Sequence, residues 1–340
     1  MKRIAPPPAG KLYHGFYYST TNGREHDVQP PDVSWYESTV GKQVAWVYTS
    51  DNWFESRAFP VSRCRWVTRL GKVPYLRLML RSNENQNRPE PLYNVPAITA
   101  GKFDADLKQW ARDAKAFGAP LIVEWGTECN GKWFSWNGWW NGRGQTDGFG
   151  DPTKPDGPER FVAAYRHIVD LMRGQGALNI TWVWHIDRSD VPEVAWNRFE
   201  NYYPGDGYVD WIGVSVYGPQ SPIDRWDHAP FARQFDPAYQ RLNVLAPSKP
   251  VLVPEFGCAL HNEWVAADQW ADGALRSLLS LRWPRVMGFC WWNETWENDN
   301  NPAHNTDMVI MHDPALSNVW NTDLAKHGSR VQELPVFAGG

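Results

Sequence analysis

Short apolar runs rich in β-branched and aromatic residues recur along this chain at Leu12–Tyr18, Gln43–Tyr48, Pro74–Leu80, Pro120–Trp125, Ile180–His185, Val209–Tyr217, Pro250–Glu255 and Val286–Trp292. Their length and composition read as β-strands. The segments between them are longer, and three carry apolar residues at helical spacing: Phe103–Phe117, Pro158–Arg173, which stops at Gly174, and Glu263–Leu281. Strand followed by helix, repeated eight times, predicts an α/β fold, the parallel (β/α)8 TIM barrel. Residues 11–340 form one domain on this reading. Residues 1–10, Pro-rich over Ala5–Ala9, form an N-terminal arm.

In a barrel of this kind the chemistry sits in the loops that follow the carboxyl ends of the strands. Two glutamates fall there. Glu128 follows the Leu121–Trp125 run, and Glu255 ends the run Val251-Leu252-Val253-Pro254-Glu255. Two carboxylates at one pocket mouth are the minimum equipment for cleaving a glycosidic bond, because one protonates the leaving oxygen while the other attacks carbon or activates water. The long loops Asn130–Pro158, rich in Trp, Gly and Asn, and Asn293–Pro314, rich in Asn and Asp, also leave strand ends and are expected to be functional.

Composition narrows the chemistry further. A net charge of −4 and the lack of any Lys/Arg-rich run give no field for a phosphate backbone, so nucleic acid is not an expected partner. Tryptophan occurs 22 times, often beside Asn or Gly instead of inside apolar runs; about half of these rings are assigned to packing and the rest to stacking on sugar faces. Cys64, Cys129, Cys258 and Cys290 show neither metal-ligand spacing nor a disulfide framework and read as small buried residues. No apolar stretch approaches the roughly 18 residues of a membrane span. Met1–Gly10 starts with two basic residues but lacks the apolar core of a secretion signal, which leaves two readings: a cytoplasmic protein, or a sequence that starts after a removed signal.

Four motifs in order resemble glycoside hydrolase family 26. Ile98-Thr99-Ala100-Gly101-Lys102-Phe103-Asp104 is similar to the family's I-x-x-G-x-[YF]-D segment, and Glu128-Cys129-Asn130-Gly131-Lys132-Trp133-Phe134 to its E-x-N-G-x-W-F motif. Trp182-Val183-Trp184 with Tyr202–Gly213, and then Pro254-Glu255-Phe256-Gly257, follow in the family's order. The resemblance runs from about Gly15 to Pro314. It implies a retaining endo-β-glycanase with Glu128 as general acid/base and Glu255 as nucleophile, the two carboxyls about 5–5.5 Å apart. Glu128 is then expected to be protonated and Glu255 ionised.

By the same resemblance Tyr217 hydrogen-bonds the nucleophile, Asn130, Trp133 and Trp136 line the sugar cleft with Asn293, and Trp291 supplies the platform under the cleaved sugar. Strand alternation lets only one of Trp291 and Trp292 face the mouth. The partner is a β-linked polysaccharide or oligosaccharide, met in the extracellular or periplasmic space. No cofactor or metal is called for. His185 and Asp187 close the fifth strand, His185 as a satisfied hydrogen-bonding residue. The Asn293–Asp307 segment matches no calcium-loop spacing and is read as a solvated loop.

Two departures affect substrate more than mechanism. Thr127 stands where mannan-cleaving members carry histidine, and Glu124 where they carry arginine. Glu124 is expected to add negative charge near Glu128 if the two lie close. β-Mannan, mixed-linkage β-glucan and β-1,3-xylan therefore stand open together. The alternative from another class is a catalytically silent polysaccharide-binding protein on a glycosidase barrel.

Overall fold

The computed structural model describes residues 1–19 and 28–339. Eight strands form its centre: β1 Leu12–Tyr17, β2 Trp46–Asn52, β3 Val73–Met79, β4 Leu121–Trp125, β5 Ile180–Asp187, β6 Trp211–Tyr217, β7 Val251–Gly257 and β8 Val286–Trp291. Each pairs in parallel with the next, and β8 closes onto β1 with Tyr13 opposite Gly288 and His14 opposite Phe289. The (β/α)8 TIM barrel expected from the sequence is the observed fold.

Side chains sort onto the two faces of the sheet with the period of two that a strand imposes. Tyr13, Trp46, Val73, Tyr75, Ile122, Val183, Trp211 and Leu252 fill the interior. Val47, Leu76, Val123, Trp182, Val214 and Val253 point outward into the larger apolar layer shared with the helices. Those helices are α1 Pro30–Val40, α2 Val61–Arg69, α3 Asp104–Phe117, α4 Asp156–Gly174, α5 Phe231–Leu245, α6 Ala267–Leu279 and α7 Pro314–Lys326. In α3, Leu107, Trp110, Ala111 and Ala114 are buried at i, i+3, i+4 and i+7, Asp104 and Asp106 sit in the first turn, and Gly118 ends the helix in the left-handed conformation.

The connection from β5 to β6 departs from strict strand–helix alternation. It carries only the 3-10 turns Ala195–Asn197 and Phe199–Tyr202, because Pro192, Pro204, Gly205 and Gly207 interrupt any longer helix. Phe199 and Tyr203 take the helix's place by packing their rings against Trp184 at 6.3 and 5.0 Å. The N-terminal segment is also anchored. Arg3–Ile4 pairs with Phe337–Ala338, Arg3 bonds Asp210 at 2.9 Å, and Ile4 is buried with the barrel interior. Cys64, Cys129, Cys258 and Cys290 are buried thiols. Among the described residues no helix is long and apolar enough to cross a membrane.

Candidate active site

Near the carboxyl ends of the strands the apolar filling of the barrel gives way to polar side chains. Tyr48 and Ser50 arrive on β2, Tyr75 and Arg77 on β3, Glu124 on β4, His185 and Asp187 on β5, Ser215 and Tyr217 on β6, and Glu255 on β7. Alternation places these at the mouth of the barrel on strands whose lower halves are packed with rings and aliphatic groups.

Glu255 is buried and held by two donors. Arg77 Nη1 reaches Oε1 at 3.1 Å and Tyr217 donates to Oε2 at 3.0 Å, while the Tyr48 hydroxyl lies 3.1 Å from Oε1 with its proton directed at Glu124. Burial pushes its carboxyl up, with Glu128 and Glu124 adding to the rise, while Arg77 and His185 oppose it; the balance lies at about 7. A guanidinium and the Tyr217 phenol directed at one carboxylate favour the charged form locally, because each N–H or O–H bond is stronger to an anion.

Glu128 lies three residues beyond β4 with φ of 51°, the left-handed region, which costs a residue with a Cβ roughly 1–2 kcal/mol. The loop holds it there. Its own carbonyl accepts from Asn137 Nδ2 at 2.8 Å and Gly131 N at 2.9 Å, and Trp136 Nε1 donates to the carbonyl of Thr127 at 2.7 Å. The Glu128 carboxyl accepts from Trp133 Nε1 at 2.6 Å. Burial and then the nearby Asp187 charge raise its pKa, opposed by His185 and by hydrogen bonds from Ser215 and Trp133. No arginine or lysine touches it among the described residues. Asp187 is itself pushed up to about 6 by burial, against the pull of Arg188.

Gly126 makes this turn possible. Its φ is +73°, and a Cβ there meets Phe161 Cε2 at 2.4 Å. Gly126→Ala is therefore expected to destabilise the fold by about 2 kcal/mol or more, read as a lower denaturant midpoint at unchanged slope.

Glu124 lies one layer below the two carboxyls just described. Tyr48 and Tyr75 donate to it at 2.5 and 2.6 Å, and His185 Nδ1 lies 3.0 Å from Oε2. His185 Nδ1 also meets Thr127 Oγ1 at 2.9 Å, and Nε2 meets Ser215 Oγ at 2.8 Å. Burial would lower the imidazole, but the Glu124 charge and hydrogen bond, with Glu255 and Glu128 behind, raise it to about 9. Glu124 is correspondingly depressed by His185 and the two tyrosines despite its burial. The charge of Glu124 adds to the rise of Glu255. Ligand atoms of Glu124, His185 and Glu255 lie within 4.8 Å of one another, and the positive charge this carboxylate cluster needs comes from Arg77 and the imidazole.

Several expected sugar contacts are taken up by structure. Trp291 points outward, packed on Phe256 at 5.1 Å and Trp320 at 5.7 Å with Nε1 bonded to the carbonyl of Met308, so it cannot be the platform. Trp292 faces inward instead, stacked on Tyr17 at 3.5 Å with Arg77 4.9 Å from its ring. Trp136 lies in the outer core, stacked on Phe134 at 4.6 Å. Asn130 spends its side chain tying the loop to β5, donating to the carbonyls of Asp187 and Ser189 and accepting from Asp187 N. Asn293 is buried and accepts from Ile310 N at 2.7 Å. Only Trp133 of the expected cleft residues touches a carboxyl of the site.

In the Asn293–Asp307 loop the oxygens serve the loop itself. Asp299 bonds Asn301 N and His304, while Asp307 bonds Val309 N and His312. The sequence reading missed Arg77, Tyr48, Tyr75 and Ser215. One signal was present for Arg77: a charged residue inside the apolar strand Val73-Pro74-Tyr75-Leu76-Arg77-Leu78-Met79 needs a buried partner.

Residues 93–247 match the family model described as Glycosyl hydrolase family 26. Over this span, a little under half of its length, the chain is similar to that family. The matched span contains Glu128 and ends before Glu255. Endoglucanase H of Acetivibrio thermocellus is 31% identical over 210 residues, 61% of this chain and 21% of that protein. Mannan endo-1,4-beta-mannosidase A and B of Caldalkalibacillus mannanilyticus is 26% identical over 175 residues, 51% of this chain and 28% of that protein. The chain thus spans between a fifth and three tenths of the length of these relatives. In three dimensions it is similar to the catalytic domain of the family 26 endo-beta-1,4-mannanase of Bacillus sp. JAMB-750, with a TM-score of 0.65 at 18% identity over 95% of this chain and 88% of that one.

Proposed function

We propose that this chain is a retaining endo-β-glycanase in which Glu255 is the nucleophile and Glu128 the general acid/base. The observation that carries the reading is the unequal setting of two buried carboxyls at one barrel mouth. Glu255 is clasped by the Arg77 cation and the Tyr217 phenol, whereas Glu128 meets an indole N–H and a neighbouring carboxylate. One proton shared between them therefore resides on Glu128. In the first step the Glu255 carboxylate attacks the anomeric carbon, the C–O bond breaks, and the Glu128 proton passes to the leaving oxygen. In the second, the Glu128 carboxylate takes a proton from water, the resulting hydroxide attacks the anomeric carbon, and Glu255 leaves as a carboxylate. Arg77 and the Tyr217 phenol stabilise the charge of Glu255 at the start and end of the cycle.

A chain-like substrate is supported by the rim. The loops after β6, β7 and β8 enclose a groove of about 680 Å3 lined by Pro222, Ile223, His261, Glu263, His304 and Asn305. Trp226 on the same rim is 79% exposed, and Trp264 stacks on His228. Among the candidate polymers we place β-glucan first. The endoglucanase match is stronger than the mannosidase match, and Thr127 and Glu124 replace the histidine and arginine associated with mannan. Such a polymer is met outside the cytoplasm, which supports an extracellular or periplasmic setting.

The test is reducing-end release and product size on mixed-linkage β-glucan, β-mannan, β-1,3-xylan and β-1,4-xylan, with proton NMR of the first anomer formed. A ladder of β-anomeric oligosaccharides from β-glucan supports the proposal. α-Anomers overturn retention, single sugars alone overturn endo action, and binding without any cleavage leaves the silent-barrel alternative. Trp226→Ala is expected to raise KM on the polymer about tenfold, the worth of one stacking ring, with kcat on a short aryl glycoside unchanged.

A further inference from the structure

Between the two carboxyls lies a buried set of polar side chains. Ser215 Oγ lies 2.8 Å from His185 Nε2. His185 Nδ1 lies 3.0 Å from Glu124 Oε2, Tyr48 donates to Glu124 Oε1 at 2.5 Å, and the same hydroxyl lies 3.1 Å from Glu255 Oε1. Glu124, His185 and Ser215 have no exposed surface. Ligand atoms of Glu124, His185 and Glu255 lie within 4.8 Å of one another, so a charge on the imidazole stands directly beside the site.

We propose that Glu124 and His185 are positioning residues forming a buried ion pair whose imidazolium sets the protonation of the Glu128/Glu255 pair. This rests on the hydrolase reading above and deepens it. The donor directions agree with a cation. With both ring nitrogens protonated, Nδ1–H is shared between Glu124 and Thr127 Oγ1, and Nε2–H donates to Ser215 Oγ. A neutral ring protonated at Nε2 would turn a lone pair toward Glu124, and one protonated at Nδ1 would take the Ser215 hydroxyl as its donor. Glu124 is equally well matched, since two phenols and the imidazole supply three donors to a carboxylate without water.

The groups facing His185 come from every neighbouring strand. Glu124 and Thr127 lie on β4 and its loop, Asp187 on β5 itself, Ser215 and Tyr217 on β6, and Glu255 on β7, with Arg77 of β3 behind Glu255. Arg188 and Asp227 form a further ion pair beside Asp187. Carboxylates outnumber cations in this set. The imidazolium suits both half-reactions, because the pair carries a single negative charge throughout: on Glu255 before attack, and on Glu128 once Glu255 is esterified.

The sign of the effect follows. A buried cation favours the ionised form of both carboxyls. Its removal raises both pKa values, so the acid limb of kcat/KM, which follows ionisation of Glu255, and the alkaline limb, which follows loss of the Glu128 proton, both move to higher pH. A charge at this range shifts a carboxyl by about one pH unit or more. The test has two arms. In 15N NMR of the unmodified protein at pH 7, the His185 ring, assigned through bonds from its own backbone amide, is expected to show both nitrogens protonated, and Glu124→Gln is expected to abolish that state. A neutral ring in the unmodified protein, or an imidazolium that persists in Glu124→Gln, overturns the ion pair whether or not His185→Gln folds. In the kinetic arm, folded His185→Gln is expected to shift both limbs upward by about one unit, and limbs that stay in place overturn the charge-setting role. Failure of the hydrolase reading is separate: it shows as no cleavage by the unmodified protein, or as cleavage that survives Glu255→Ala.

Discussion

Glu255→Ala is expected to lower kcat/KM on β-glucan by on the order of 10^4-fold or more, with polymer affinity retained, because the nucleophile supplies the covalent route and the remaining groups only bind and polarise. Two measurements divide these effects: product release, and quenching of tryptophan fluorescence by added polymer. The substitution also removes the carboxylate that Arg77 Nη1 meets at 3.1 Å, and a buried pair broken on one side costs about 3–5 kcal/mol. Glu255→Gln keeps the volume and an oxygen acceptor for Tyr217, so its loss of turnover is expected to match that of the alanine variant at a smaller cost in stability. Azide supplies the decisive outcome. In the cavity left by Glu255→Ala it can attack the anomeric carbon from the nucleophile's side, and the expected product is the α-glycosyl azide. Undiminished turnover in either variant removes Glu255 from the mechanism.

The barrel was legible because each strand had to be apolar on both faces, and such runs stand out whatever surrounds them. Helices were legible only where the apolar stripe was strong. Trp110 and its neighbours mark α3, but α1 (Pro-Pro-Asp-Val-Ser-Trp-Tyr-Glu-Ser-Thr-Val) buries little more than Val33, Tyr36 and Val40, and α5 carries Pro237 inside it. Strand ends were lost for a related reason. β2 runs on through Thr49-Ser50-Asp51-Asn52, polar residues that read as loop but are buried at the mouth, where Asp51 receives Trp110 Nε1 at 3.0 Å and Ser50 receives Arg77 Nε at 3.1 Å.

The candidate site divides in the same way. Glu128 and Glu255 sit in local motifs, so their neighbourhood in sequence announces them. The donors that distinguish them come from separate strands, and only the register of the closed sheet brings Tyr48, Arg77, Glu124, His185 and Ser215 together. Trp291 and Trp292 show how sensitive such a reading is to register. Pairing between β7 and β8 slips twice, and side-chain parity at the end of β8 depends on it. The small side chain of Cys290, which faces inward two residues after Gly288, is the local sign that even-numbered positions face the interior there.

Glu128→Ala is expected to divide substrates by their leaving groups. On β-glucan, whose leaving group is a sugar hydroxyl, kcat/KM should fall by about 10^2 to 10^4-fold, the usual contribution of a placed general acid. An aryl glycoside with an acidic phenol departs without a proton, so its first step should change little. Its second step is slowed instead, because no carboxylate remains to take the proton from water. The glycosyl ester on Glu255 then accumulates, seen as a burst of phenol followed by a slow steady rate. Azide needs no base and should restore turnover, here giving the β-glycosyl azide, the opposite anomer from that expected with Glu255→Ala. Trp133 sharpens the assignment. Its indole N–H donates to Glu128 Oε2, which fixes the carboxyl and favours its ionised form. Trp133→Phe keeps the ring and removes the bond, so the alkaline limb should move upward while the aryl glycoside's first step is unaffected. Equal losses on polymer and aryl glycoside in Glu128→Ala would instead mean that Glu128 supports the loop and that the acid lies elsewhere, with Asp187, raised to about 6 beside it, the nearest group able to serve.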